Sequence, residues 1–323
     1  MMRELAAHFL ALAEKQGSTV PLMVGHRNMG VSLLHTGDIE EALGHIDQAM
    51  ALYDPVEHRQ LATRFGQDVR VALSFYQSLA RWPLGYPEVA LADADRAIKD
   101  ARDIGQAATL MAALTLTSLT HIHCGSYPAA KLQLDEAITL ADEKGALFWK
   151  TGAMLVAGCL LAATGKAADS VSMITSGLNS WRQTGTTVWT PAYFSYLARA
   201  HADLGHFDEA SRSIGEAMSA VKTTRETWYE AEIHRIAGEI ALRRAEPDAT
   251  KAEACFERAL AVARAQRAKS WELRAAMSLA RLKRDQGRSD VGRNLLAPVY
   301  EWFTEGFETV DLKEAKSLLK ALG

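Results

Sequence analysis

The sequence predicts an all-α protein: a right-handed α-solenoid of antiparallel helix pairs stacked in one long array. Two observations carry this. A turn glycine recurs at Gly37, Gly85, Gly125, Gly165, Gly205 and Gly287, with Pro247 standing in the sixth unit, so the steps are 48, 40, 40, 40, 42 and 40 residues. Around each anchor the same residue sizes return. Seven residues before it stands a small residue: Gly30, Ser78, Ser118, Gly158, Ala198 and Ala280, with Gly238 in this part in the sixth unit, where two extra residues precede the second helix. Five after it come Ala42, Ala90, Ala130, Ser170, Ala210, Ala252 and Gly292, and seven further on Ala49, Ala97, Ala137, Gly177, Ala217, Ala259 and, as the exception, Val299. Between these two small columns runs a mostly large apolar one: Ile46, Ala94, Leu134, Ile174, Ile214, Phe256 and Leu296.

Close packing explains the columns. Two antiparallel helices approach closely only where side chains are small, and the large residue of the second helix fills the space opposite. Leucine at Ala198 should therefore cost roughly 1–3 kcal/mol by overpacking, which a denaturation midpoint would show. Glycine ends each first helix, and Pro87 and Pro128 suit the first turn of the next. A single pair cannot bury its apolar faces, so the units must stack.

Composition narrows the rest. The 323 residues are 48% hydrophobic and 23% charged, which suits a folded chain. A formal charge of -3 argues against nucleic acid or an anionic membrane as a partner recruited by bulk charge. Three scattered cysteines exclude a disulfide framework and point to a reducing cytoplasm. No phosphate loop, dinucleotide fingerprint, nucleophile elbow or zinc signature occurs, so no catalytic residue, cofactor or metal is expected.

Taken in order, residues 1–17 read as an orphan second helix, because Ala6, Leu10 and Ala13 reproduce the second-helix spacing. Its open apolar edge offers a surface for self-association, or for continuation from another domain. Residues 18–303 hold seven helix pairs, and 304–323 a capping helix. Eight residues are added within Tyr53 to Gln67, where His58, Arg59 and Arg64 form a candidate contact loop; a longer second helix with a solvated turn is the simpler reading. In units two to four the register turns Phe75, Leu79, Trp82, Leu119 and Leu155 inward, either as an apolar groove for a peptide or as core. His121, His123 and Cys124 are not spaced as metal ligands on a helix. Trp149, Trp189, Tyr229 and Trp271 form a column that lines a groove mouth or plugs the seams. In units five to seven the inward face turns polar, with Arg199, Glu232, Arg235, Glu239, Arg274 and Arg281. These could grip an acidic partner segment or pair with one another.

The order small, alanine twelve residues on, a large apolar four later and alanine three further resembles the tetratricopeptide repeat, here lengthened to about 40 residues and mostly without its leading aromatic. The stretches KAEACFERALAVARAQRAKSWELRAAMSLARL and LLAPVYEWFTEGFETVDLKEAKSLLKAL resemble the C-terminal repeats of bacterial multidomain proteins that join a class III nucleotide cyclase to an ATPase module. The resemblance implies a non-catalytic interaction scaffold whose partner is a protein, a peptide or its parent catalytic domains. The alternative is a sensor whose groove binds a small effector and changes superhelix curvature.

Overall fold

In the computed structural model, which describes residues 2–323, the repeat becomes stacked helix pairs. The leading helix α1 is Met2–Gln16; Met1 of the expected half-repeat lies outside the described residues. The first pair is α2 (Thr19–His35) with α3 (Ile39–Ala51). A short insertion follows: α4 (Pro55–His58), a 3-10 turn (Arg59–Leu61) and α5 (Ala62–Phe65). Six more pairs come next: α6 (Val69–Arg81) with α7 (Pro87–Ile104), α8 (Ala107–Cys124) with α9 (Tyr127–Glu143), α10 (Leu147–Ala163) with α11 (Ala167–Gln183), α12 (Thr190–Asp203) with α13 (Phe207–Thr224), α14 (Glu230–Arg243) with α15 (Ala249–Ala265), and α16 (Lys269–Asp285) with α17 (Ser289–Glu301). A final helix, α18 (Val310–Ala321), packs on the last pair. None of the helices among the described residues is long and apolar enough to cross a membrane.

The size columns act as expected. A Cβ added at Gly30 would press on Ile46 and the Ala42 carbonyl, at Gly158 on Ile174, and at Gly238 on Phe256. In each case the partner is the large residue of that unit's own second helix. Ala198 and Ala210 are fully buried. All six turn glycines have positive φ, from 75° to 96°, a conformation open to glycine at no steric cost. A second glycine column serves the turns between units, at Gly105, Gly145 and Gly185. At the corresponding later turns Arg225 and Arg267 accept the same strained backbone (φ 62° and 53°).

The array does not extend as an open ramp. It curls until units five apart touch. The Thr227 and Trp228 amides donate to the His35 carbonyl at 2.9 and 3.3 Å, joining unit six to the turn of unit one. Ser270 donates its amide to the Pro83 carbonyl (3.0 Å) and its hydroxyl to that of Trp82 (2.6 Å), joining unit seven to unit two. Glu305 accepts the Glu88 and Val89 amides at the start of α7, while Glu88 accepts the Gly306 amide: a reciprocal cap across 217 and 218 residues. Val310 rests against Gly125, linking α18 to unit three.

This closure splits the anchor glycines into two kinds. A Cβ at Gly37, Gly85 or Gly125 would collide with Gln266, Trp302 or Val310, whereas Gly165, Gly205 and Gly287 face open space. Gly165→Ala should thus cost only its backbone strain, about 1–2 kcal/mol. Gly125→Ala should cost more, because it also prises α18 away from unit three. Paired urea denaturations of the two variants check this.

Candidate functional site

The inner face is the natural place to look, and it is filled. A chain of buried rings runs through it: His35 meets Trp189 edge-on (centroids 5.3 Å), then Trp228 (5.0 Å), Tyr229 (4.9 Å), Trp271 (4.9 Å), Trp82 (4.6 Å) and His123, stacked at 4.4 Å. Trp189, Tyr229 and Trp271 of the aromatic column lie in this string, while Trp149 stays half-buried beside Phe148. Burial keeps the imidazoles neutral, His35 down at about 4 and His123 at about 3, the latter also opposed by Arg274. No group of three or more His, Cys, Asp or Glu at metal-binding distance occurs among the described residues.

The expected apolar groove is corrected accordingly. Phe75, Leu79, Trp82, Leu119 and Leu155 are all buried core residues, because the long first helices and the closing turn cover them. The polar inner face is also spent within the chain. Arg235 grips Glu232 through two bonds of 2.7 Å, and reaches Glu239 and Ser278. Arg274 donates to Asp311 (2.8 Å) and to the His123 carbonyl (3.0 Å), lies 3.8 Å from Glu232, and spreads its guanidinium over Trp82 and Trp271. Burial alone would raise the Glu232 carboxyl, but Arg235, Arg274 and Arg199 overcome it and hold it at about 2. At Asp311 burial wins over Arg274 and the carboxyl is raised. Arg281 pairs with Glu314 at 3.0 Å. Arg199 is half-buried near Glu232. Glu232, Arg235, Glu239 and Arg274 are thus corrected from a partner-gripping set to an internal network, in which Arg274 bolts units six and seven and α18 to units two and three, while the Arg281 pair lies at its exposed edge.

The insertion is a small helical knob. His58 is buried: its Nδ1 accepts the Asp54 amide at 2.9 Å, and its ring lies against Tyr53. It is therefore a structural residue rather than a contact residue, a second correction. Arg59 and Arg64 are exposed, with Arg64 over the Phe65 ring. The knob is tied down by Asp68, which accepts from Tyr53 (2.8 Å) and Val71 (3.1 Å), and by Gln106, which donates to the Ala62 carbonyl.

One surface cleft stands apart. An open cleft of about 420 Å³ lies between α1, α2 and α6, lined by Leu5, Ala6, Phe9, Arg27, Asn28, Val31 and Tyr76. Arg27 is half-buried and its Nε is buried with no hydrogen-bond partner. Burial lowers its pKa, and the carboxylate that acts on it, Asp68, is already bonded to Tyr53 and to the start of α6. Beside the cleft, α1 exposes Leu5 (64%), Phe9 (40%) and Leu12 (65%) at helical spacing. Nothing local in the sequence marked Arg27; only its register, shared with Arg235, could have. An unpaired, partly desolvated charge weakens the free fold. Arg27→Met should accordingly raise stability, by about 1 kcal/mol, read as a higher thermal midpoint.

No family model matches the chain, and no curated protein matches it in sequence. Solved structures do match in fold. The chain is similar to the Rap conjugation gene regulator of the plasmid pLS20, solved in complex with a peptide (TM-score 0.66, 11% identity, covering 96% of this chain and 79% of that one). It is also similar to aspartyl phosphate phosphatase F from Bacillus subtilis (TM-score 0.57, 11% identity, 94% and 75% covered) and to the apo form of the quorum sensor NprR from B. thuringiensis (TM-score 0.54, 14% identity, 90% and 80% covered). At these identities the likeness shows the fold, a tetratricopeptide-like α-solenoid.

Proposed function

We propose that this chain is a non-catalytic protein-interaction module with a regulatory role. The observation that supports it most is the contrast between a filled interior and one exposed apolar face. The rings and ion pairs close the array on itself, while α1 exposes an apolar stripe beside an open cleft on whose wall Arg27 has a buried, unbonded Nε. Its fold is shared with a gene regulator whose structure holds a peptide, which supports a protein or peptide as the partner. The resemblance of the last third to the repeats of bacterial class III cyclase–ATPase proteins supports a finer reading. In that reading the module works in signal transduction in the bacterial cytoplasm, and the catalytic domains of such a protein are its partner. The effector-sensor alternative is disfavoured, because the inner groove it requires is occupied by Trp82, His123, Tyr229 and Trp271.

Cross-linking mass spectrometry in the source cell tests the module. A small set of proteins should link reproducibly, and at least one, once purified, should raise the chain's thermal midpoint by mass action. Nucleotide turnover by the purified chain, or a midpoint that moves with a metabolite pool and with no protein, contradicts the proposal. Purified cyclase and ATPase domains of the resembled class, added in the same assay, test the finer reading: no shift with either removes that context.

A further inference from the structure

Register makes α1 unlike every other second helix. Its buried face follows the repeat, since Ala6, Leu10 and Ala13 stand where Ala42, Ile46 and Ala49 do. Its exposed face does not. At the position of Leu12 the later units carry Gln48, Arg96, Glu136, Ser176, Glu216, Arg258 and Pro298. No other unit places large apolar residues at all three positions held in α1 by Leu5, Phe9 and Leu12.

The position of Phe9 also has a known neighbour elsewhere. Its counterparts touch the first helix of their own unit: His45 meets His26 on α2 (2.9 Å), Asp93 accepts from Arg81 on α6 (2.6 Å), and Gln133 accepts from Thr117 and Ser118 on α8 (3.1 Å each). In α1 that side carries the exposed Leu5 and Phe9, which line the cleft. First helices of successive units also pack on one another, so a helix laid there would meet α2 as well as α1. The cleft lies in that corner, with Arg27 on its wall.

Arg27 shows what such a helix must bring. Its counterparts in the other units are Phe75, Thr115, Leu155, Ser195, Arg235 and Met277, all buried. The one other arginine, Arg235, is buried because Glu232 and Glu239 neutralise it. Arg27 has Val24 and Val31 at those two spacings, and its buried Nε has no hydrogen-bond partner among the described residues.

We propose that α1 and the Arg27 cleft dock an amphipathic helix from a partner protein, presenting an apolar stripe and, within it, a carboxylate. It occupies the place that a first helix holds in the later units. This rests on the interaction-module reading and names its site. A second copy of the chain is a poorer occupant. The acids of α1, Glu4 and Glu14, lie outside the Leu5–Leu12 stripe, so pairing α1 with itself brings no carboxylate between the apolar residues.

The test selects helices from a displayed library of amphipathic 18-residue helices with one randomised face, using the full chain as bait. Recovered helices should be enriched in Asp or Glu at one position within the apolar stripe. Arg27→Gln, or acid-to-amide exchange in the helix, should weaken binding about tenfold or more. Leu12→Glu, at an exposed position, should abolish binding with an unchanged circular dichroism spectrum. A lysine-bearing helix should recover part of its binding on Arg27→Glu. The proposal is overturned if no helix is recovered, if binders lack the acid, or if Arg27 and Leu12 variants bind them unchanged. It is also overturned if sedimentation velocity shows self-association that Leu12→Glu removes, which would make a second copy the occupant. A cellular partner that binds the Leu12→Glu chain as well as the wild type overturns this site and leaves the interaction module standing.

Discussion

Arg274→Met should cost about 3–5 kcal/mol, the penalty for removing one partner from a buried ion pair. The side chain touches four elements. It bonds Asp311 at the start of α18, the carbonyl of His123 at the end of α8, and the faces of Trp82 and Trp271, and it lies near Glu232 on α14. Methionine fills much of the volume but leaves Asp311 buried without its cation and the His123 carbonyl without its donor. The loss should show where the turns meet. The amides of Thr227 and Ser270, which donate to His35 and Pro83, should exchange hydrogen faster. Arg281→Met is the control: its pair with Glu314 is exposed (38% and 53%), and such pairs are worth about 0–1 kcal/mol. If Arg274→Met unfolds at the wild-type urea concentration with unchanged exchange, the bolt is not what closes the superhelix.

Glu226→Gln should stabilise the chain in mildly alkaline buffer. The carboxyl is buried between units five and six, accepts the amide of left-handed Trp189 at 2.8 Å, and has no cation paired with it among the described residues. Burial raises its pKa to about 7 from an ordinary 4.5, despite that hydrogen bond. The native state therefore holds a proton that the unfolded state has already lost between those two values. Its contribution is fully present below about pH 4.5 and disappears as pH rises through 7. The buried imidazoles act in the opposite sense: their stabilisation is complete above about 6.5 and is lost as pH falls toward 4 at His35 and 3 at His123. The two opposed effects overlap between about pH 4.5 and 6.5, and the Glu226 decline, nearly complete just above pH 7, is read as the difference between wild type and variant. Glutamine keeps an acceptor for Trp189 without the charge, so it should remove that decline, a gain of up to about 3 kcal/mol at pH 8. Denaturation at pH 5 and pH 8 decides: the stability of the variant relative to wild type should rise by about 2 kcal/mol between them, and a difference that does not change with pH contradicts the assignment to Glu226.

The local half of this architecture was legible because its causes are local. Gly30 must be small since Ile46 of the same hairpin occupies the space, and Gly37 must be glycine since its backbone is left-handed. Both constraints act over fewer than about twenty residues, the range at which helical spacing speaks. The closure was not legible. Gly125 and Gly165 look alike in sequence, yet one meets Val310 and the other faces open space. Which of them is covered depends on the pitch accumulated over five units. The inner face shows the same limit. Its register placed Arg235 and Arg274 inward, but register does not say whether an inward arginine finds a partner. Glu232 and Asp311 supply one there, and nothing does at Arg27.

The filled lumen and the two kinds of glycine both depend on the contact between units five apart. Glu40 and Arg267, exposed and ion-paired across that contact, can each be replaced by cysteine and treated with a short bifunctional thiol crosslinker. The closed superhelix predicts efficient intramolecular bridging of the monomer between Cys replacements at 40 and 267, abolished in denaturant. Absence of that bridge in the native monomer, with both thiols reactive, would mean that the array is open and that its inner face is free for a partner.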